Sequence, residues 1–171
     1  MQEVINDTKL YKALNRYKTR YLHKSFENLD ESSTRIIINH LLTDVLGYRE
    51  LVDIKTEYPI KGGYIDYLIE INNKKIFAIE VKSISTKLSH KHLRQATYYG
   101  STIGVEWIII TNSRFFQLYK IKYTKPLKVI NIFNLDLKKL DYITNKQISY
   151  ITKKSIIRGD LSKGYCDKSL F

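Results

Sequence analysis

Asp66, Glu80 and Lys82 interrupt two apolar runs that otherwise have the pattern of neighbouring β-strands, GGYIDYLIEI and KKIFAIEVKS. Two carboxylates that are close together and partly buried cost several kcal/mol unless a counter charge neutralises them. A divalent cation does so, and Mg²⁺ prefers carboxylate and carbonyl oxygens, water and substrate phosphate as ligands. An ammonium beside the metal could orient or deprotonate a water, or stabilise a phosphorane-like transition state. These residue types therefore fit phosphodiester hydrolysis.

The relative position of the carboxylates depends on how the hairpin turns. Strand periodicity places Glu80 and Lys82 on one face of the second strand. If the loop is residues 72–74, the register sets Asp66 directly opposite Glu80, and the carbonyl of Val81 lies between their side chains. A two-residue loop would put the carboxylates on opposite faces, unless a bulge shifts the count. The other face of the first strand is expected to carry Ile65, Tyr67, Ile69 and Ile71.

A simpler interpretation is a surface hairpin in which Glu80 and Lys82 form an ion pair worth well under about 1 kcal/mol. Edge strands often carry such charges to block aggregation. Against it, the charged face also carries Leu68, Ile76 and Ala78, so the carboxylates would sit amid apolar surface.

The surrounding sequence supplies the elements that must hold these side chains. Residues 8–23 are typical of a basic amphipathic helix whose apolar stripe belongs in the core, formed by Tyr11, Leu14, Tyr17 and Tyr21. A second helix begins at a cap, Asp30 or Ser32, and ends at Gly47. A third runs from residue 89 to a stop at Gly100. The order of two helices, three strands, a helix, three strands and terminal helices predicts an α/β fold with a mixed central sheet flanked by helices.

Length and composition indicate a single domain over residues 1–171, because 171 residues with 43% hydrophobic content build one ordinary core. Its core is expected over about 29–134, followed by helices over 135–158 and a polar tail over 159–171. Cys166 stands alone, so no disulfide framework is expected.

The net charge, and the lack of recognisable membrane, export and ATP-binding motifs, limit the classes of function to consider. A net charge of +12 attracts polyanions, chiefly nucleic acid. No stretch is apolar enough for a membrane span and no signal peptide is recognisable, which predicts a cytoplasmic protein. No glycine-rich phosphate loop indicates ATP binding. His90 and His92 point in different directions on a helix, so they are not expected to share a metal.

The string Asp66, then Glu80, Val81 and Lys82 resembles the core of the PD-(D/E)-x-K nuclease superfamily. The chain around it resembles the N-terminal nuclease domain of type I restriction enzyme R subunits and its small stand-alone relatives, over about residues 31–121. The segments that carry this resemblance are STRIIINHLLTDVLGY, EYPIKGGYIDYLIE, IFAIEVKS, LRQATYYG and VEWIIITNSRFFQLYKI. Ile65 stands where the motif has its proline, as in many members of the superfamily.

The resemblance implies a restriction-endonuclease-like fold and assigns roles to particular residues. Asp66 and Glu80 would bind Mg²⁺ or Mn²⁺ and Lys82 would be the catalytic lysine. Glu31, with the carbonyl of Val81, would complete the metal shell. Gln95 would complete the catalytic residues. The residues that would contact DNA are Lys91, Tyr99, Arg94 and Lys61.

The expected function is a metal-dependent DNA endonuclease in which Lys82 activates water. Two alternatives remain: a catalytically silent nucleic-acid-binding or accessory subunit of a restriction or repair complex, and a structural protein with incidental hairpin charges. DNA is the expected partner, and a homodimer and a helicase or specificity partner remain open. The sequence does not distinguish DNA from RNA or single from double strands.

Overall fold

The computed structural model describes residues 2–165, with side chains from Lys9 onward. Its helices are α1 (Gln2–Tyr21), α2 (Glu31–His40, prolonged by a π-helical turn at Leu41–Val45), α3 (His90–Thr102), α4 (Tyr142–Ser149), α5 (Lys153–Arg158) and α6 (Asp160–Tyr165). A 3-10 turn, Lys24–Phe26, follows α1. The strands are β1 (Ile54–Ile60), β2 (Gly63–Ile71), β3 (Lys74–Val81), β4 (Trp107–Thr111), β5 (Phe115–Lys122) and β6 (Lys128–Asp136).

Within residues 2–165 the six strands form one sheet in sequential order. The pair β3–β4 is parallel and every other pair is antiparallel. A parallel pair needs a crossover, which α3 supplies between β3 and β4. The predicted α/β class, a mixed sheet flanked by helices, is confirmed.

Two apolar clusters form the core. The larger one joins the sheet to α1, α2 and the C-terminal helices, and includes Leu14, Ile38, Phe77, Phe116 and Ile148. The smaller one joins the sheet to α3 and includes Leu68, Ala96 and Ile108. Gly100 does not end α3, which continues to Thr102. It is buried against the sheet, and only glycine fits there because a Cβ would lie 2.5 Å from Cγ2 of Ile108.

The hairpin between β2 and β3 turns through two residues, not the three that we predicted. Asn72 and Asn73 have φ of 51° and 61°, the left-handed conformation that a tight two-residue hairpin turn requires. Ile71 pairs with Lys74 and Glu70 with Lys75, but Ile69 pairs with Phe77, which leaves Ile76 as a bulge. This bulge shifts the count, as the two-residue alternative required.

The neighbouring strands β1 and β2 change face beside Asp66. Ile65 packs in the smaller cluster, whereas Tyr67 packs in the larger one, so the expectation that they share a face is wrong. On β1, Ile54 and Tyr58 likewise belong to different clusters. Glu57, between them in sequence, has φ of 48°, a left-handed conformation that breaks strand alternation.

In the C-terminal region, the boundaries of strands and helices differ from those predicted. β6 extends to Asp136, because Phe133 and Leu135 are buried at strand spacing, and the first C-terminal helix begins at Tyr142 rather than 135. Helix α6 lies within the predicted polar tail, because Leu161 and Tyr165 lie four residues apart and both pack into the core. The rest of that tail, with Cys166, lies outside the described residues.

Helices α1 and α2 are positioned as their patterns indicate. Leu14 and Tyr17 are buried, although Tyr11 is 44% exposed and is not part of the core. Asp30 caps α2 by accepting a hydrogen bond from the Ser33 N–H at 2.8 Å. Among residues 2–165, no helix combines the length and the apolar character needed to cross a membrane.

Candidate active site

Asp66 lies on β2 beside the carboxyl end of β3. Tyr67 pairs with Ile79, so the next step of the register opposes Asp66 to Glu80. One Asp66 oxygen accepts a hydrogen bond from the Val81 N–H at 2.7 Å, and the side chain is only 13% exposed. The backbone of β3 thereby fixes the orientation of this carboxylate.

Glu80 is the more deeply buried carboxylate, with a residue exposure of 3%. Its Oε1 lies 2.7 Å from Nζ of Lys82. A buried carboxylate without a counter charge would cost several kcal/mol, and the ammonium supplies that charge. Glu80 and Lys82 are therefore an inward-facing pair, not the solvated ion pair of a surface hairpin.

Lys82 follows β3 directly and is anchored by its backbone. Its N–H donates to the carbonyl of Thr111 at the end of β4 at 2.8 Å, which continues the parallel pairing. Its Nζ also lies 3.5 Å from Oε2 of Glu31, in the first turn of α2. The structure thus brings Glu31 to the cluster, while its part in a metal shell stays a prediction.

The electrostatics of the cluster follow from burial and from like charges. Burial raises the pKa of Glu80 to about 7, and repulsion from Asp66 and Glu31 contributes in the same direction. Burial also raises the pKa of Asp66, against the opposing effect of the Val81 N–H. Burial alone would lower the pKa of Lys82, but its hydrogen bond to Glu80 and the nearby carboxylates raise it, so the ammonium form is favoured.

The donor set fits a hard divalent cation. Within the described part of the chain, no three His, Cys, Asp or Glu residues are grouped closely enough to hold a metal by themselves. Mg²⁺ does not need such a group, because it usually keeps several waters and takes one or two carboxylates. Asp66 and Glu80 supply these, and burial raises the pKa of both carboxyls, an effect that a bound cation would oppose. The N–H of Val81 contacts Asp66, while a metal contact of its carbonyl stays a prediction.

Arg35 and Glu57 extend the cluster, and the sequence analysis missed both. Nη1 of Arg35 lies 3.2 Å from Glu57 and 3.4 Å from Asp66. The spacing of Arg35 four residues after Glu31 on α2 was the available signal, since it places both on one helical face. A groove of about 480 Å³ opens here, lined in part by Arg35, Glu57 and Asp66.

His92, on α3, also interacts electrostatically with the cluster. Burial and the charges of Lys82 and Lys91 lower its pKa. The N–H of Ser89 donates to Nδ1 of His92 at 3.2 Å, so the neutral ring carries its proton on Nε2. His92 therefore lies near Lys82 as a neutral side chain at neutral pH.

The residues predicted on α3 form a separate polar surface. Gln95 donates to the Tyr99 hydroxyl at 3.2 Å, and that hydroxyl lies where a Cβ on Gly63 would be 3.1 Å away. Within residues 9–165, no hydrogen bond joins Gln95 to the carboxylates or to Lys82. Three predicted DNA contacts have exposed side chains, namely Lys61, Lys91 and Arg94.

Comparison with known proteins identifies the family. No curated protein and no solved structure shows significant similarity to the chain. A family model for the N terminus of the type I restriction enzyme R protein matches residues 30–133, from the cap of α2 into β6. This stretch covers more than half of the chain and contains Asp66, Glu80 and Lys82. The chain therefore belongs to the type I restriction enzyme R protein N-terminus (HSDR_N) family.

Proposed function

We propose that this protein is a metal-dependent deoxyribonuclease of the PD-(D/E)-x-K type. The observation that carries the proposal is the placement of two carboxylates opposite each other on adjacent strands, the partly buried Asp66 and the buried Glu80, with the Lys82 ammonium 2.7 Å from Glu80. The family match supports a restriction-related nuclease role, because type I restriction enzymes act on DNA. The resemblance to PD-(D/E)-x-K nucleases supplies the finer assignment.

In this mechanism water adds across one P–O bond of the backbone. The water oxygen bonds to phosphorus and loses a proton to solvent, the opposite P–O bond breaks, and the leaving oxygen takes up a proton. Mg²⁺ or Mn²⁺, when bound to Asp66 and Glu80, would polarise the scissile phosphate and lower the pKa of the attacking water.

The protein's own groups have complementary roles. The Val81 N–H holds Asp66 in place, and β3 holds Glu80 opposite it. Lys82 activates water as a charged donor: its raised pKa favours an ammonium, which orients the water and stabilises the negative charge that develops on phosphate. Glu31 lies 3.5 Å from Nζ of Lys82 and would help to bind the metal through a bridging water.

Substrate contacts follow from the exposed polar side chains of α3 and of the adjoining turn between β1 and β2. Lys91, Arg94 and Lys61 would bind backbone phosphates, and Tyr99 with Gln95 would line the DNA side of the site. As a member of an R-protein family, the chain would work with other restriction subunits, which would supply the sequence specificity that no element here indicates.

Cleavage of labelled linear, circular, single-stranded and branched DNA with Mg²⁺ or Mn²⁺ tests the proposal. We expect Glu80→Gln and Lys82→Met to lower the cleavage rate at least about 100-fold while DNA binding persists. Glu106→Gln is the matched control, because Glu106 is exposed and precedes β4 at the other end of the sheet.

Two outcomes contradict the nuclease proposal. Unchanged cleavage by both site variants would remove Glu80 and Lys82 from the chemistry. Salt-sensitive binding without cleavage of any substrate would instead favour the accessory-subunit alternative.

A further inference from the structure

Helix α1 and the turn after it carry an unusual concentration of positive charge. Residues 9–24 contain no Asp or Glu, and six Lys or Arg residues, half of the formal net charge of +12. These are Lys9, Lys12, Arg16, Lys18, Arg20 and Lys24. α1 lies outside the residues that the family model matches, so the family does not account for this charge.

The arginines of α1 differ from most others in the chain. Within residues 9–165, four arginines have a carboxylate partner within 4 Å: Arg35, Arg49, Arg114 and Arg158. The three without one are Arg16, Arg20 and Arg94, and Arg94 already belongs to the proposed DNA-contacting surface. A guanidinium that no protein carboxylate engages is available for an external anion, and its geometry matches phosphate.

Arg16 and Arg20 also line a concave surface. A groove of about 430 Å³ between α1 and the end of α2 is lined in part by Arg16, Arg20, Tyr21, His40 and Asp44. The Arg20 guanidinium lies 5.2 Å from the Tyr21 ring centre, and Tyr21 stacks on His40 at 5.4 Å. Asp44 faces His40 at 3.3 Å. The aromatic contact orients Arg20 at the groove before any ligand arrives.

This groove is connected to the candidate active site through two elements. The Tyr17 hydroxyl donates to the carbonyl of Ser113 at 3.2 Å, in the turn after β4, whose Thr111 carbonyl accepts from the Lys82 N–H. The second element is α2, which begins at Glu31 beside the site and reaches His40 beside the groove. At 1.5 Å per residue, Glu31 and His40 are roughly 14 Å apart along the helix axis. That distance equals about four nucleotide steps along one strand of B-DNA.

We propose that Arg16 and Arg20 bind backbone phosphates of the nucleic acid a few nucleotides from the bond that is cut. This inference rests on the proposed function, since it assumes that the Asp66–Glu80–Lys82 cluster acts on a phosphodiester. It assigns α1 a role as a second anchor, separate from the α3 surface.

Binding of a fluorescent DNA duplex in EDTA, measured over a range of salt concentrations, tests the anchor without any cleavage. Each phosphate contact contributes about 0.9 to the slope of log K against log salt. We expect Arg16→Gln with Arg20→Gln to reduce the slope by roughly 1 to 2. The matched control is Lys125→Gln with Lys128→Gln, which removes the same charge from two exposed lysines around the β5–β6 turn. The strand register places that turn at the opposite end of the sheet.

An equal loss of slope in the control pair, or no loss in the Arg16 and Arg20 pair, would overturn the anchor. Both arginines are exposed, so circular dichroism of the variants should match that of the wild type, and restoration of the slope by Arg16→Lys with Arg20→Lys would support a charge contact. The two proposals fail separately. A selective slope change without cleavage contradicts the nuclease and leaves only phosphate binding by Arg16 and Arg20, while cleavage with an unchanged slope overturns the anchor and keeps the nuclease.

Discussion

At the residue scale, the candidate site has more negative than positive charge, and the backbone N–H of Val81 holds one of its carboxylates in place. Asp66, Glu80 and Glu31 present three carboxylates to one ammonium, with Arg35 at the margin. Burial, with a further contribution from the neighbouring carboxylates, raises the pKa of Glu80 to about 7, so the charged form is disfavoured there. A site that only had to be stable would place apolar side chains there, because a buried ion pair rarely exceeds well-packed apolar residues in stability.

Asp53 is a buried carboxylate of the opposite kind, because the positive charges of Arg49 and Lys153 balance its negative charge. It is 2% exposed, lies 2.6 Å from Nζ of Lys153, and accepts hydrogen bonds from the backbone and guanidinium of Arg49. Burial alone would raise its pKa, but these donors outweigh burial and hold the pKa of Asp53 well below its usual range. The pair ties α5 to the start of β1.

We therefore expect Asp53→Asn to lower the free energy of unfolding by about 3 kcal/mol, because Lys153 loses its buried partner. Since the folded pKa lies below the unfolded value near 4, the contribution of Asp53 is complete above about pH 4 and declines as the pH falls further. Urea denaturation between pH 7 and pH 3 measures both effects. The exposed Asp44→Asn is the control, and an equal loss in both variants would contradict the structural role of Asp53.

At the element scale, the hairpin shows what the sequence could and could not predict. Both strands were readable from alternation, but whether Asp66 and Glu80 lie opposite each other depended on the turn. The turn length was not, because a three-residue loop and a two-residue loop with a bulge give the same register. Ile76 is apolar like its neighbours, so nothing in its type marked it as the bulge.

The two-residue turn makes a direct prediction about Asn73. Its φ of 61° is a conformation that costs alanine about 1 kcal/mol and costs glycine nothing. We expect Asn73→Ala to lower the free energy of unfolding by about 1 kcal/mol and Asn73→Gly to preserve or raise it. Urea denaturation provides the comparison, with Lys74→Ala as the neighbouring control. Equal stability of the Ala and Gly variants would show that the turn has another geometry.

Contacts between distant elements account for the site residues that were missed. Arg35 on α2 reaches Glu57 on β1 and Asp66 on β2, and only the packing of α2 against the sheet brings these together. The left-handed Glu57 lies where β1 changes face, and β2 changes face beside it; local alternation could reveal neither change. Sequence pattern determines which face of an element is apolar, but not which polar side chains from different elements meet.

At the scale of the whole molecule, the order of helices and strands was predictable because most elements have strong apolar periodicity. The C-terminal region was less predictable, since α5 and α6 are short and their apolar residues contribute only when packed in the core, as Tyr165 is against Phe133 of β6. The family match extends from α2 into β6, so α1 and α4 to α6 are additions to the matched region.

Metal binding should change the stability of the entire fold, because only the folded chain brings Asp66 and Glu80 together. At a Mg²⁺ concentration about 100 times the dissociation constant, the expected gain is about 2.7 kcal/mol. This corresponds to a rise in Tm of roughly 5–11 °C for a protein of this size. Differential scanning fluorimetry of the wild type, Glu80→Gln and the control Glu106→Gln checks it. A Tm rise that persists in Glu80→Gln would place the ion elsewhere.

The bulge at Ile76 has an evolutionary consequence. Loss of that one residue would give a regular two-residue hairpin, and loss of the bulge with gain of one turn residue would give a regular three-residue hairpin. In both cases Asp66 would still face Glu80. Homologous chains can therefore differ by a residue between these two positions without separating the two carboxylates. An alignment that scores such a gap as a break in the motif would overlook genuine relatives.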